Sequence, residues 1–527
     1  MNTRFLTSIL LVLMMLSLLS TPVAAQNNDN RDIEPMLTFE HGHDDFHGAA
    51  WSNNHILTWG TVHGIARLWS LDGQLLATLE LCEYGFCWIA EARWNVDESR
   101  LFTVICYQGG CHTLLWDANG RELAELPGWH AKWNTDGTRA FTEFNSDRYC
   151  SENCMYEIHV WDADGNPLAT LRHNSHVSAK WNVNGTHILA VSNSWPEACG
   201  EICLYGTGCT ENCVYEVRIW DVNGELLATL VHDYEIYNAI WNSDETQILT
   251  WSNSPFIADE SLRYEYLWAI WVECNYISED CFNPFGWSAK QHSGYAVRNG
   301  VHQAQIWSTD GELLTTLSHG AEIWGAAWNP DETRVLTWTR DGTGKVWSTS
   351  GEELFTITQA HWARWSTDGT RILAWSLIEE DAAQVWSDEG RLLLTVHPNV
   401  TEWDELLTAE WNRDETRILT WGWDGLRVWS VEHSDNLLTL RPPRGGSIPA
   451  EPFERHWNPE QTLVLVDYWI VGWVWIWDVI EGNELFVLSG YGRSYGLKWL
   501  QDKAPPPDRR CGKRVCMVHI LLTHIED

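Results

Sequence analysis

Positive charge is scarce in this sequence of 527 residues: 34 lysines and arginines stand against 72 aspartates and glutamates, for a formal net charge of −38. A surface so acidic repels a phosphate backbone over most of its extent, which argues against a nucleic-acid partner. Long apolar runs are scarce too. The run at residues 5–19 is shorter than the roughly 20 residues a spanning helix needs. It follows Arg4 and precedes Val23 and Ala25, small residues that fit a signal-peptidase site after Ala25. Residues 1–25 therefore read as a signal peptide, with an N-terminal anchor as the alternative. The mature chain is expected to be secreted or periplasmic, with no membrane span once the signal is removed. No cysteine lies near the cut to carry a lipid. The other apolar run, 463–477, is broken by Asp467 and Gly472 and reads as a strand hairpin. No Gly-x-Ser-x-Gly turn and no phosphate-cradling glycine loop is present, and the 21 histidines fall at no metal-ligand spacing. No catalytic, cofactor-binding or metal-binding residue is assigned, and no cofactor is expected.

Tryptophan is abundant, at 37 residues, and most of it recurs at fixed intervals. The stretch 328–347, W-N-P-D-E-T-R-V-L-T-W-T-R-D-G-T-G-K-V-W, has near-copies along the chain. One column of tryptophans falls at Trp51, Trp94, Trp133, Trp181, Trp241, Trp328, Trp365, Trp411, Trp457 and Trp499. A second falls at Trp69, Trp116, Trp161, Trp220, Trp307, Trp347, Trp386, Trp429 and Trp477. Each unit holds four short β-rich runs separated by turns, with Asp-Gly or Asn-Gly at 72–73, 119–120, 164–165, 223–224 and 310–311, a hairpin signal in which both central residues would take positive φ. Four antiparallel strands every 40 or so residues make a propeller blade.

The repeat resembles that of the WD-repeat β-propellers: an aromatic, Ser or Asn-Pro-Asp, a strand, an Asp-Gly turn, a strand ending in Trp, and a His after the fourth strand. Residues 328–347 match this pattern without a gap, and 411–429 nearly so. The expected fold is all-β: a β-propeller of four-stranded antiparallel blades in one closed ring of nine or ten, with two smaller propellers as the alternative. Residues 37–502 form it, after a flexible leader at 26–36. The repeats fall near 37–81, 82–127, 128–173, 174–232, 233–319, 320–358, 359–398, 399–441 and 442–490, with a partial unit from 491 that residues 37–41 would complete. Residues 503–527 are an irregular basic tail. The resemblance also implies a hydrogen-bonded structural set of His319, Thr337, Asp341 and Trp347. Other repeats lack the full set.

Units 3, 4 and 5 are elaborated between their second and third strands, where the spacing between the two tryptophan columns grows to 28, 39 and 66 residues. The resemblance implies that these loops share one face of the disc with the loops before the first strands, the face used for partners. Cysteines concentrate there: Cys106 and Cys111, Cys150 and Cys154, the group Cys199, Cys203, Cys209 and Cys213, and Cys274 and Cys281, with Cys82 and Cys87 before a first strand. An even count of 14 in close pairs behind a signal peptide reads as disulfides. A four-thiolate zinc site at Cys199, Cys203, Cys209 and Cys213 is the rival. Cys511 and Cys516 lie in the tail.

Acidic pairs recur in the first turns at 97–98, 244–245, 331–332 and 414–415 and read as solvated turn chemistry; the calcium-loop likeness at 162–166 lacks the distal bidentate Glu. A sialidase-like run at 366–370 has broken spacing. A third tryptophan column, Trp59, Trp251, Trp338, Trp375 and Trp421, ends the second strands. It serves either inter-blade packing or a partner-facing rim. The expectation is a non-catalytic extracytoplasmic scaffold that binds a protein or peptide through the disulfide-rich face of blades 2–5. The alternative is an envelope protein that binds or hydrolyses carbohydrate with rim tryptophans and loop carboxylates.

Overall fold

The computed structural model describes residues 7–11 and 37–42, most of 46–107, 110–145, most of 156–193, 215–253, 301–376, 382–397, most of 406–440, and strand segments at 454–457, 463–468, 473–478, 483–489, 498–499 and 518–519. Among them the chain is all β. Nine four-stranded antiparallel sheets each use four consecutive strands in sequence order, and two further pairs have two strands each. In the sixth sheet the strands are Ile323–Trp328, Arg334–Thr339, Gly344–Ser348 and Glu353–Ile357. In all nine the first strand ends on a tryptophan of the first column, from Trp51 to Trp457. The run near 463–477 is the expected hairpin, Leu463–Tyr468 paired with Trp473–Asp478.

From the second sheet to the eighth, each first strand packs on the second strand of the sheet before it. First and second strands therefore make the inner part of a fan and fourth strands its outer edge. Burial follows. Gln247–Asn253, a second strand, is buried at every position after the first, whereas the fourth strand Leu313–His319 exposes Leu313 and Leu314. Each outer strand also carries a bulge opposite the third-strand tryptophan, which sets Leu76, Leu227, Leu314 and Leu393 outside the ladder. Bulged outer edges discourage pairing with another sheet.

Two expectations are corrected. Residues 37–41 do not complete the unit at Trp499. Leu37–Gly42 pairs with Thr7–Leu11, and Lys498–Trp499 pairs with Val518–His519. The third turns are also not two-residue turns with two positive φ angles. Gly120 donates to the Asp117 carbonyl at 3.0 Å and Asp117 N to the Arg121 carbonyl at 2.9 Å, with φ positive at Gly120 alone, at 80°. This is the type I turn closed by a left-handed glycine. A Cβ at Gly120 would also stand 2.5 Å from Ala77 Cβ of the preceding sheet, so glycine is required for both conformation and space.

The first turns join neighbouring sheets through a device the sequence hid. In each acidic pair the Asp caps its own turn: Asp244 Oδ1 accepts from Thr246 N at 3.0 Å, and these bonds hold its carboxyl below the usual range. The Glu sits in the left-handed region and reaches across. Glu245, at φ 60°, accepts from Asn182 Nδ2 at 2.6 Å and Asn184 N at 2.8 Å in the fourth sheet. Glu98 clasps Asn54, Glu332 clasps Asn242 and Ser243, and Glu415 clasps Thr367 and Arg371 in the same way. Where the turn carries glycine the neighbour supplies the bond, as Asn95 Nδ2 does to the Gly137 carbonyl at 3.3 Å. Arginines that open second strands add a further stitch. Arg100 donates to Ala163 O at 3.0 Å and to Asp164 at 2.7 Å, and Arg334 to Asp388. Glu245→Ala should cost about 1–2 kcal/mol, because it loses the clasp and keeps the left-handed backbone, and Glu245→Gly should cost less by about 0.5–1 kcal/mol. Urea denaturation of the two variants checks the order.

Each tryptophan column has its own task. First-strand tryptophans pack on the preceding sheet: Trp94 stacks on His55 at 5.3 Å and Trp133 on Phe102 at 4.2 Å, and Trp181 lies tilted on Phe141 at 5.4 Å. Such pairs contribute about 0.5–1.5 kcal/mol beyond their buried area.

Candidate functional site

Third-strand tryptophans hydrogen-bond within their own blade, at the place where the sequence puts its structural set. In the sixth blade Trp347 Nε1 donates to Thr337 Oγ1 at 2.8 Å, and His319 Nε2 meets the same hydroxyl at 2.6 Å, all three buried. Asp341 takes its hydrogen bonds inside its own turn, from Thr339 Oγ1 at 2.6 Å and Thr343 N at 3.1 Å, and reaches His319 as a charge. Three of the four residues thus form one chain of bonds and the fourth acts beside it.

The Thr–Trp half of this arrangement is far more widespread than the full motif. Trp69, Trp116, Trp161, Trp307 and Trp429 donate to Thr58, Thr103, Thr142, Thr250 and Thr420 at 2.7 to 3.1 Å. Sequence reading missed it because the threonine has no fixed distance from the tryptophan when an insert intervenes. In the fourth blade Ala190 occupies the cross-strand position beside Arg218, and the buried Trp220 Nε1 finds no acceptor. Ala190→Thr should supply one and raise stability by about 1 kcal/mol, read as an upward shift of the thermal midpoint.

The elaborated face begins where second strands end. The ladder runs unbroken to the root of each insert: Asn145 pairs with Tyr156, Asn193 with Tyr215 and Asn253 with His302. The inserts leave the sheets between these paired residues and lie outside the described residues. Their roots are tied to the next blade. Asn193 Oδ1 accepts from Ile236 N at 3.0 Å while its Nδ2 donates to Ile236 O at 2.8 Å, and Asn253 does the same to Ile323 at 2.9 and 2.9 Å. In the third blade Glu143 accepts from Ala179 N at 2.7 Å and from Ser178 Oγ at 3.3 Å. Burial pushes the Glu143 carboxyl up to about 7, against the pull of Lys132 and these two bonds. Burial likewise pushes Glu235, which opens the first strand of the fifth blade, up to about 7.

Bulges in first strands re-aim side chains at the same end. Tyr237 donates to Glu322 at 2.9 Å across the fifth and sixth blades, and Trp324 packs on Trp362 at 5.5 Å across the sixth and seventh. His130 takes the left-handed region at φ 52° and packs beside Trp129.

The partner-facing rim is overturned for most of the third tryptophan column. Trp59, Trp251 and Trp375 expose 8%, 6% and 2% of their surface and belong to apolar clusters between blades. Trp338 is partly buried, with its ring directly over Gly325 where no Cβ would fit. The reason is topological: second strands are the strands on which the next blade packs. Trp421 lies in the strand Arg417–Gly422, and its side chain is outside the described residues.

Cys106 and Cys111 are directly opposite each other in the second blade and joined by a disulfide, and Cys87 is disulfide-bonded too. Cys82, Cys150, Cys154, Cys199, Cys203, Cys209, Cys213, Cys274 and Cys281 lie outside the described residues. Among the described residues no group of three or more His, Cys, Asp and Glu stands close enough to hold a metal ion, and no helix is long and apolar enough to cross a membrane.

Blades of this strand order, tied by a buried His–Thr–Trp chain, are WD-repeat-like. The fold is an all-β propeller architecture. No family model matches the chain. Serine-threonine kinase receptor-associated protein from Homo sapiens and from Bos taurus is 36% identical over 67 residues, which is 12% of this chain and 19% of that protein. The chain thus spans about a fifth of the length of the curated relatives it matches. Among solved structures, the C-terminal WD40 domain of Sif2 is similar over 72% of this chain and 93% of its own, with a TM-score of 0.37 and 15% identity. A eukaryotic initiation factor is similar over 76% and 89%, with a TM-score of 0.45 and 12% identity.

Proposed function

We propose that the protein is a non-catalytic interaction scaffold that works outside the cytoplasm and holds a protein or peptide on the insert-bearing face of blades 2–5. The observation that carries this reading is the intact ladder at the root of each insert, from Asn145–Tyr156 through Asn253–His302. Long segments leave rigid, cross-tied sheets without disturbing them, which is how a scaffold displays recognition loops. The matched relatives are named for association with a receptor, and a protein partner is the reading carried over here. Disulfides in the inserts, beyond the bond at Cys106, would make the same face durable outside the cell.

Against the carbohydrate reading, three of its five rim tryptophans, Trp59, Trp251 and Trp375, are core residues with no face open for a sugar. A parallel screen tests both readings: the chain from Gln26 onward is used as bait on extracytoplasmic fractions and on a glycan array. Saturable capture of a protein with a silent array is the expected result. A glycan bound through the inserts would replace this reading with the carbohydrate one.

A further inference from the structure

Fifteen large apolar side chains are exposed among the described residues, and ten of them fall on the first two positions of a fourth strand: two each in blades 1, 4, 5 and 7, and one each in blades 3 and 6. Singly scattered apolar residues need no explanation, but a repeated register does. Packing does not demand leucine at the first of these positions, since Glu122 and Pro167 hold it in blades 2 and 3. The third turn of each following blade lies against the same strand. A Cβ on Gly311 would stand 3.3 Å from Ala228 Cβ, next after Leu226 and Leu227. One on Gly351 would stand 2.7 Å from Thr315 Cγ2, next after Leu313 and Leu314, and Thr315 Oγ1 fixes that contact by donating to Thr349 O at 3.1 Å. Along blades 4 to 6 the outer edge therefore alternates: Leu226 and Leu227, then Asp310 and Glu312, then Leu313 and Leu314, then Glu352 and Leu354.

No cation is set against the acids of this arc. In blades 3, 4 and 7 an arginine from the preceding blade reaches the third turn: Arg100 at Ala163 and Asp164, Arg139 at Val222, and Arg334 at Asp388. His187 and Gln247 hold that place ahead of blades 5 and 6. Asp310, Glu312 and Glu352 are exposed and make no ion pair among the described residues. The cations on the neighbouring strands are spent locally, Lys345 on Glu353 and Arg218 on Glu216. Other leucine pairs stand beside positive charge: Arg391 precedes Leu392, and Arg121 follows the turn that lies against the strand of Leu75 and Leu76.

We propose that the outer edge of blades 4 to 6 is a second docking surface, for a cationic amphipathic segment of a partner. Its apolar residues cover Leu226, Leu227, Leu313 and Leu314, and its lysines or arginines meet Asp310, Glu312 and Glu352. The bulge at each leucine pair keeps the strand edge from templating another strand, so the segment docks through side chains. The net charge of −38 draws a cation toward the whole molecule, and the leucines decide where it settles. Third strands run from the inserts to the third turns, so this surface lies at the end of the blades opposite the insert-bearing face.

The test is fluorescence anisotropy on the full chain with labelled peptides: a leucine-lysine peptide patterned as an amphipathic helix, the same composition shuffled, its leucine-glutamate counterpart, and a lysine-serine peptide. The patterned leucine-lysine peptide should bind, more weakly at higher salt, and the others about tenfold more weakly or not at all. Leu226→Thr/Leu313→Thr should weaken its binding about tenfold. Asp310→Asn/Glu312→Gln should do so to a similar extent, with a shallower salt dependence. Leu75→Thr/Leu392→Thr, the same change in blades 1 and 7, should leave binding unchanged, and thermal midpoints show that each variant folds. Equal binding of the peptides, binding that neither variant of blades 4 and 5 weakens, or an equal loss in the blade 1 and 7 variant overturns the proposal. A silent patterned peptide with leucine-dependent flotation on phosphatidylcholine vesicles would replace it with a membrane contact. Capture on the insert-bearing face should persist in every variant, and its loss in Leu226→Thr/Leu313→Thr would overturn the separation of the two surfaces.

Discussion

Thr337→Val should destabilise the protein by about 2–4 kcal/mol, the largest loss expected from a single side chain of its size. Valine keeps the shape and removes the hydroxyl that accepts from Trp347 Nε1 and meets His319 Nε2. Both partners stay buried, at 6% and 8% exposure, so neither recovers its bond from water. Each stranded group costs about 1–3 kcal/mol. Thr337→Ser should restore most of the loss. Hydrogen exchange should place the damage in the sixth blade and the blades it touches, because a repeat array passes stability mainly between neighbours. A loss below about 0.5 kcal/mol would mean that the network contributes no more than an average surface contact.

Acid should weaken the protein well before its ordinary carboxylates protonate. Burial holds His173 down to about 3 and His176, His232 and His319 to about 4, from an ordinary value of 6.5. In the unfolded chain these imidazoles protonate as pH falls through 6.5, while the folded state keeps them neutral. The unfolded state therefore binds more protons, and stability drops between about pH 6.5 and pH 4. Glu143 and Glu235 act in the opposite sense. With folded values near 7 against 4.5, they regain stability as pH falls through the same range. Four histidines against two glutamates leave a net loss on the order of 5 kcal/mol between pH 7 and 4.5. Urea midpoints at pH 7.5, 6 and 4.5 measure it. His232→Phe, which replaces a ring packed on Trp307 at 5.2 Å, should flatten the slope.

What the sequence could show was whatever sits at a fixed position in each unit. The two tryptophan columns mark the ends of the first and third strands in all nine sheets, and glycines mark many of the turns between strands, because each is required by local geometry. What it could not show depends on the neighbouring blade. Asp331-Glu332 looks like two solvated acids, yet the left-handed backbone at Glu332 turns its side chain onto Asn242 and Ser243. No residue pattern encodes that φ angle for glutamate. Trp59, Trp251 and Trp375 read equally well as rim or core until the packing of each first strand on the preceding second strand decides it. The structural set was legible for His319, Thr337 and Trp347, whereas Asp341 is drawn into its own turn by Thr339 and Thr343. Of the candidate face, the insert positions were legible from tryptophan spacing. The ties at their roots, Asn193 to Ile236 and Asn253 to Ile323, were not, since each joins residues from different units.

The division of labour between cross-tied blades and displayed inserts is tested most directly by replacing the chain between Asn253 and His302 with an Asp-Gly turn. Those two residues already pair across the ladder, so the fifth blade should close as the sixth does and the thermal midpoint should stay within a few degrees. Capture of the partner should be lost. Capture at full strength by the shortened chain would contradict the account, and so would unfolding of the fifth blade.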